Sequence, residues 1–229
     1  MYYKNVNFSF WVSIERSSHI REFIFKRVCD YFSECGFTNH DVIFAMPISP
    51  LVTQDVHNQV KSTMSYVVQH SDMTSGNTRV GLFVFDTEAR MSMTVPLNAV
   101  LCPTPLSGLI SMSSYMPSDE APLLTVALKQ ILTMFTSPEN RESAADIAFL
   151  VLDKSFNMLG SMELAADLRR RGIRLDIVAV GYQDPRIPSL FAYSAENVYL
   201  VDNYTTLPHL LPDMFQRDFC SKCPCESKS

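Results

Sequence analysis

Short apolar runs of strand length alternate with amphipathic stretches over most of the chain. The runs are almost continuously apolar, as is typical of parallel strands buried on both faces, and lie at 41–46, 79–86, 146–153 and 175–181. Apolar positions recur with a helical period at 55–68, 106–113, 123–135 and 162–171. This alternation predicts an α/β fold in which helices cover both faces of a mostly parallel sheet.

Two further segments complete the predicted sheet. Residues 90–95 alternate polar and apolar positions, a pattern that indicates an antiparallel edge strand. Residues 197–201 form a last short strand. We therefore predict a doubly wound sheet of six strands, five parallel and one antiparallel at an edge.

The two ends of the chain repeat one order of elements. Each has a strand, a helix and a cysteine: 5–11, 19–31 and Cys29 at one end, and 197–201, 207–219 and Cys220 at the other. We interpret 1–40 as the truncated tail of a preceding copy of one domain, 41–220 as that domain, and 221–229 as a cysteine-containing tail. The alternative, a chance recurrence of strand, helix and cysteine, stays open.

Composition narrows the class of protein. The 229 residues are 47% hydrophobic and 19% charged, which suits one soluble globular core and excludes a mainly disordered chain. A net charge of -5 indicates neither the positively charged surface of a nucleic-acid-binding protein nor a polybasic membrane anchor. No apolar run reaches the roughly 20 residues that span a bilayer. We expect no nucleic-acid or membrane partner.

The cysteines bear on the cellular compartment. Five of the six flank the α/β segment and are the disulfide candidates: Cys29, Cys35, Cys220, Cys223 and Cys225. Disulfides at the edges of a domain would require an oxidising compartment. No secretory signal is visible at the amino terminus, which argues the other way. Both observations fit a piece of a longer secreted protein; a cytoplasmic protein is the alternative.

A zinc site is the competing interpretation of the last three cysteines. The spacing Cys220-x-x-Cys223-x-Cys225 could begin such a site, but no second cysteine or histidine pair follows it. Disulfide chemistry is therefore favoured.

Several segments, in this order and spacing, resemble the von Willebrand factor A domain, also called the integrin I domain, over residues 41–220. They are 41–44, 79–85, 127–128, 150–153 and 168–181. The repeated tail and its flanking cysteines are most similar to the tandem A domains of type VI collagen α chains. The resemblance implies a non-enzymatic adhesion module of an extracellular-matrix protein. Its expected partners are matrix proteins or other A domains, not small molecules.

The resemblance also implies a metal site. The family has an Asp-x-Ser-x-Ser loop after the first strand, a threonine before the middle helix and an aspartate after the fourth strand. These oxygen ligands suit Mg²⁺ and leave a position for a partner's carboxylate. The corresponding positions here are Pro47, Ser49, Leu51, Pro122 and Asp153. Only Ser49 and Asp153 keep an oxygen ligand, so we expect a degenerate site with no tight Mg²⁺ binding and no cofactor.

The same comparison suggests a binding surface and a disulfide pattern. The candidate surface is the carboxyl edge of the sheet, at Ser49, Pro50, Asp153 and Lys154, where Lys154 replaces the usual glycine. In the collagen-like arrangement, Cys35 and Cys220 bracket the domain and Cys29 belongs to the preceding copy. Cys223 and Cys225 would then serve the next module or an interchain bridge. Spacing alone does not decide the connectivity.

An enzyme is the alternative from another class. Ser49 could act as a nucleophile with Asp153 and with His57 or His209, but it lacks the glycine-flanked elbow of α/β hydrolases. The glycine-rich loops that bind phosphates are absent from the sequence. We expect no catalytic residues, and we keep a doubly wound hydrolase and a cytosolic A-domain scaffold as alternatives.

Three consecutive arginines, at 169–171, allow a heparin-binding or nucleic-acid-binding interpretation. They fall in the last turn of a predicted helix, just before Gly172. Cations there complement the helix dipole and glycine ends the helix, so we favour a structural role.

Overall fold

The computed structural model describes residues 39–69, 71, 73, 76–90, 94–99, 102–138, 140–207 and 210. The strand and helix predicted at 5–11 and 19–31 lie outside this part of the chain, as does most of the helix predicted at 207–219. The proposed division of the chain at its two ends therefore stays a prediction.

The predicted alternation of strands and helices is confirmed. The strands are β1 (His40–Pro47), β2 (Thr78–Phe85), β3 (Ala145–Asp153), β4 (Arg174–Val180) and β5 (Val198–Val201). The helices are α1 (Gln54–Gln69), α2 (Pro103–Met112), α3 (Leu124–Phe135), α4 (Ser161–Arg170) and the short α5 (Arg186–Ser189). Single 3₁₀ turns lie at Ala195–Asn197 and Tyr204–Thr206.

The five strands form one sheet in the order β2-β1-β3-β4-β5, and every neighbouring pair is parallel. This is the predicted doubly wound arrangement. Because the strands are parallel, their last residues all meet at one end of the sheet, which we call the carboxyl edge. Their first residues meet at the other end, the amino edge.

The predicted antiparallel strand at 90–95 is not formed as a strand in the described residues. Two isolated antiparallel bridges join this part of the chain to β2, Phe85 with Ala89 and Leu82 with Val95. Residues 91–93 between them lie outside the described part. The described sheet thus has five strands, and Pro96, which has no N–H to donate, immediately follows the second bridge.

Two hydrophobic cores lie on opposite faces of the sheet. On one face, α1 buries residues at the helical spacing Val56, Val60, Met64 and Val67. On the other, α3 and α4 pack over alternate residues of β1 and β3. A Cβ at Gly81 on that face would lie 2.8 Å from Met134 Cε, the flexible end of a side chain, and 3.1 Å from the backbone oxygen of Val95, so a larger residue would require these neighbours to shift. In the described residues, every helix is too short or too polar to cross a membrane.

Candidate functional site

Ser49 and Asp153 meet at the carboxyl edge of the sheet. Ser49 lies two residues after β1, and Asp153 is the last residue of the neighbouring strand β3. The Ser49 hydroxyl donates a hydrogen bond of 2.7 Å to Asp153 Oδ2. Both side chains are buried, with 2% and 0% of their surface exposed. The two remaining oxygen-bearing positions of the family's metal site are therefore bonded to each other.

Two further residues complete the surroundings of the Asp153 carboxylate. The backbone N–H and the hydroxyl of Ser155 donate to Oδ1 at 2.8 and 2.5 Å. The hydroxyl of Tyr204, in the turn after β5, donates to Oδ2 at 2.5 Å. Each carboxylate oxygen thus accepts two hydrogen bonds, close to its full capacity. All four donors are neutral groups.

The tyrosines of this site stay protonated at neutral pH. Burial raises the pKa of Tyr204 well above its usual value, and the charge of Asp153 raises it further. Tyr182, whose hydroxyl donates to the backbone carbonyl of Asp153 at 3.2 Å, has its pKa raised to about 12, mainly by burial and also by Asp153. Both hydroxyls therefore remain hydrogen-bond donors over the whole physiological range.

The loop after β1 is folded onto itself around Ser49. The hydroxyl of Ser49 accepts a hydrogen bond from the N–H of Leu51 at 3.2 Å. The backbone carbonyl of Ser49 accepts one from the N–H of Val52 at 3.0 Å. The N–H of Ile48 donates to the carbonyl of Phe85 at 2.7 Å, which ties the loop to β2. Ser49 acts both as a donor and as a loop-stabilising acceptor.

These surroundings are a poor match to a divalent cation. Pro47 and Pro122 are buried and offer no side-chain oxygen, and Leu51 is half-exposed and apolar. Mg²⁺ requires six oxygen ligands in near-octahedral geometry, whereas the oxygens of Asp153 are already occupied by donors. In the part of the chain that the structure describes, no three His, Cys, Asp or Glu side chains are grouped to hold a metal. The residues present do not fit the family's metal.

A shallow pocket of about 290 Å³ lies beside this site. Leu51, Lys154, Asp202 and Tyr204 are among the residues that line it. The methylenes of Lys154 lie over Gly181, where a Cβ would be 3.9 Å from Lys154 Cε. Among the described salt bridges, none joins Lys154 to Asp153 or Asp202.

The four predicted surface residues thus fall into two pairs. Ser49 and Asp153 are buried, whereas Pro50 and Lys154 are exposed. A partner can touch Pro50 and Lys154 directly, but it cannot reach the Asp153 carboxylate without rearranging the site.

Two histidines were considered as a catalytic base for Ser49, and neither lies beside it in the described part of the chain. His57 Nε2 lies 3.5 Å from the carbonyl of Ser113, and its ring packs on Tyr115 with centroids 5.8 Å apart. Burial is the main cause of its lowered pKa. His209 lies outside the described residues. The Ser49–Asp153 contact is therefore not a catalytic triad among the residues described.

The three arginines at 169–171 are engaged within the domain. Arg169 donates to the carbonyls of Leu190 and Ala192, the latter at 2.9 Å. Arg170 and Arg171 pair with Asp167 at 3.1 and 3.2 Å, and the bond from Arg171 is the main cause of the lowered pKa of Asp167. The chain leaves the helix through Gly172, whose φ is 75°. These contacts agree with the structural role favoured from the sequence.

Cys102 is not among the disulfide candidates predicted from the sequence, yet it is disulfide-bonded. It precedes α2 and is 3% exposed. Its partner is not among the described residues, which contain no other cysteine. A signal was available, because five flanking cysteines are an odd number and leave one thiol to pair elsewhere.

Ser155 and Tyr204 were also missed. The carboxyl ends of parallel strands meet at one edge, so polar residues just after each strand are neighbours in space. Ser155 follows β3 by two residues and Tyr204 follows β5 by three. The position of both hydroxyls just after a parallel strand was therefore the available signal in the sequence.

Known proteins resemble this chain in sequence pattern and in fold. The sequence profile of the von Willebrand factor type A domain matches residues 41–213. No curated protein sequence matches the chain.

Solved structures share the fold at low sequence identity. Proximal thread matrix protein 1 from the mussel byssus has a TM-score of 0.70 and 16% identity, over 80% of this chain and 48% of that one. BatB, a conserved hypothetical protein from Bacteroides thetaiotaomicron, has a TM-score of 0.58 and 18% identity, over 78% of this chain and 98% of that one. The pilus adhesin SpaC from Lactobacillus rhamnosus GG has a TM-score of 0.60 and 11% identity, over 79% and 30%. This chain thus spans about half the length of the mussel protein.

Proposed function

The chain belongs to the von Willebrand factor type A domain family, and we propose that it is a non-enzymatic adhesion module of an extracellular-matrix protein. Domains of this family generally mediate protein–protein interaction. Two structural neighbours are a thread matrix protein and a pilus adhesin, both of which work outside the cell. The disulfide at Cys102 supports an oxidising compartment. The flanking cysteines support the narrower assignment to a collagen VI-like chain.

Recognition in this module does not depend on a metal ion. The observation that carries this proposal is the Asp153 carboxylate, whose two oxygens already accept four hydrogen bonds from Ser49, Ser155 and Tyr204. The mussel neighbour has been solved with zinc in its metal-ion-dependent adhesion site. Here Pro47, Leu51 and Pro122 would supply no side-chain oxygen to such an ion, so we assign partner contact to the exposed Pro50 and Lys154.

Calorimetry on the full chain tests the metal-free proposal. We expect no heat of binding when Mg²⁺ or Zn²⁺ is titrated at micromolar concentration, because the ligand set is incomplete. Asp153→Ala is the matched control. A micromolar affinity in the unmodified chain that disappears in Asp153→Ala would overturn the proposal. Adhesion to immobilised matrix proteins should also be unchanged by a chelator.

A count of free thiols distinguishes the matrix module from a cytosolic A-domain scaffold. In protein made by its own cells, we expect fewer than the six thiols that the sequence contains, because Cys102 is disulfide-bonded. Six free thiols would contradict the extracellular assignment.

The proposed division of the chain has a separate test. If 1–40 is the tail of a preceding A domain, the transcript upstream of Met1 encodes the remainder of that domain in frame. An unrelated or non-coding sequence there would contradict this division.

A further inference from the structure

The turn after β5 carries the acceptor sequence for an N-linked glycan. Asn203, Tyr204 and Thr205 form the pattern Asn-x-Thr in which x is not proline. Asn203 and Thr205 are exposed, and Tyr204 between them is buried with 5% of its surface accessible. On the extracellular location proposed above, we infer that Asn203 is glycosylated and that its glycan stands at the rim of the carboxyl-edge pocket.

The geometry of the turn suits this modification. Asn203 Oδ1 accepts hydrogen bonds from the N–H and the hydroxyl of Thr205, at 3.0 and 2.5 Å. It also lies 3.3 Å from the hydroxyl of Thr206. The amide nitrogen Nδ2 has no hydrogen-bond partner among the described residues. A glycan on Nδ2 therefore breaks none of the bonds that hold the turn.

The turn is also anchored to the body of the domain. Tyr204 reaches into the protein and donates to Asp153 Oδ2, while its neighbours Asn203 and Thr205 remain on the surface. The acceptor is thus presented on a fixed surface turn, and the bulky, solvated sugar meets no buried side chain.

The reaction is a glycosyl transfer from an oligosaccharyl polyprenyl diphosphate, used by a transferase of the secretory pathway. Asn203 Nδ2 attacks the anomeric carbon of the first sugar and forms the N-glycosidic bond. The bond from that carbon to the diphosphate oxygen breaks, and the polyprenyl diphosphate leaves with the electron pair. The proton released from Nδ2 ends on the diphosphate, and no oxidant or reductant takes part.

The glycan would govern access to the carboxyl edge. Asn203 lines the same pocket as Leu51 and Lys154. A sugar chain at Asn203 would therefore compete with a protein partner for Lys154, one of the two residues to which we assign partner contact, whereas Pro50 does not line the pocket. The unglycosylated form exposes the whole pocket.

Peptide mapping of the full chain, expressed behind a secretory signal, tests the site. A second acceptor sequence, Asn7-Phe8-Ser9, lies outside the described residues, so occupancy must be scored separately for each peptide. Glycosidase treatment converts a glycosylated asparagine to aspartate. We expect this conversion at Asn203 in the chain without substitutions and in Thr205→Ser, which keeps the acceptor pattern. Asn203→Gln should lack it. If the chain is retained in the cell, the same peptides are scored from the lumenal fraction.

An unmodified Asn203 in lumenal or secreted chain would overturn the inference. Failure of the proposed function looks different. Protein from its own cells would then show six free thiols and no glycan, while the recombinant chain still reports on Asn203. A native chain with a disulfide at Cys102 and a bare Asn203 would overturn the glycan and leave the extracellular function standing.

Chemical labelling tests the shielding. The exposed Lys154 should react several-fold more slowly with an amine-specific reagent in the glycosylated chain, and glycosidase treatment should restore its rate. Lys129, exposed on α3, is the matched control and should react equally in both forms. Equal rates at Lys154 would show that the glycan does not cover the pocket.

Discussion

Two fully buried aspartates lie at opposite ends of the sheet and are held in different ways. Asp153, at the carboxyl edge, accepts hydrogen bonds from neutral hydroxyls and a backbone N–H, with no charged donor among the described residues. Asp41, at the amino edge, is paired with the guanidinium of Arg141, whose Nε and Nη2 lie 2.9 and 2.5 Å from Asp41 Oδ1. Both aspartates are 0% exposed. The same buried group is therefore stabilised by dipoles at one end and by a cation at the other.

The charged pair holds the amino edge in one arrangement, whereas the neutral hydroxyls of the carboxyl edge can rearrange. Arg141 also donates to the carbonyls of His40, Gly76 and Asn77, so its side chain ties its own loop to the start of β1 and to the residues just before β2. At the carboxyl edge, the three hydroxyls belong to three separate segments, and each can reorient or bind water if its neighbour changes. The amino edge should thus tolerate substitution less well than the carboxyl edge.

Loss of the cation at the amino edge should produce the largest effect. Arg141→Met removes the cationic partner of the buried Asp41 carboxylate, which keeps the backbone N–H of residue 141 at 3.3 Å, and it removes the donors to three carbonyls. Breaking a buried pair on one side costs about 3–5 kcal/mol, and we expect a loss of this size in the free energy of unfolding. Urea unfolding followed by circular dichroism measures it.

Two further variants show whether the effect comes from the buried charge. Arg170→Met, in the exposed pair with Asp167, should change stability little, because surface ion pairs contribute little. Adding Asp41→Asn to Arg141→Met should recover part of the loss. A loss in Arg141→Met as small as that in Arg170→Met would break the distinction between the two edges.

The general fold could be predicted from the sequence because its signal is repeated along the chain. Continuous apolar runs such as 146–153 and helical spacing such as that in α1 report burial, and burial on both faces admits few architectures. The strand at 90–95 was predicted from alternation alone. That pattern does not show how far a segment pairs with its neighbour, and the described residues of this part of the chain form two isolated bridges with β2, at Ala89 and Val95.

The candidate site was only partly predictable, because its contacts join residues far apart in the chain. Ser49 and Asp153 could be matched to a family motif, and 104 positions separate them. Tyr204 belongs to no such motif, and its hydroxyl finds Asp153 only because β5 ends at the same edge as β3. Cys102 was missed because it lies inside the α/β segment, although the odd number of flanking cysteines left one of them to pair elsewhere.

Removal of one hydroxyl at the carboxyl edge should have a moderate effect. Tyr204→Phe removes a buried hydrogen bond to the Asp153 carboxylate, and such bonds to charged groups contribute about 1.5–3 kcal/mol. Tyr182→Phe is the matched control. Among the residues that the structure describes, its hydroxyl donates only to the backbone carbonyl of Asp153, so a loss of about 0.5–1.5 kcal/mol is expected. Urea unfolding at neutral pH compares the two.

The same variant sharpens the account of metal binding. Tyr204→Phe frees one acceptor position on Asp153, yet Pro47, Leu51 and Pro122 still offer no side-chain oxygen. We therefore expect no Mg²⁺ binding by calorimetry in this variant either. A gain of affinity would mean that the hydroxyl, and not the missing ligands, keeps the ion out.

The smallest expected effect concerns a second carboxylate at the amino edge. Asp146 lies beside Asp41 in the register of β3 and β1, and in the described part of the chain its carboxylate accepts hydrogen bonds only from the Asn140 amide, at 3.1 and 3.2 Å. Burial raises the pKa of Asp146 from 3.8 to about 6, and the charge of Asp41 adds to the rise. Between these two values the folded chain binds more protons than the unfolded chain, so stability contributed by Asp146 falls as pH rises.

Asp146→Asn isolates this contribution, because the variant stays neutral at every pH. Relative to Asp146→Asn, the chain without substitutions should lose free energy of unfolding as the pH rises from about 4 to 7. The shift should be modest because Asp146 is only half-buried, and solvent screens its charge. If the free energies of unfolding of the two chains change in parallel with pH, the positive charge of Arg141 stabilises both carboxylates. If they converge at low pH, that single charge stabilises Asp41 and not Asp146.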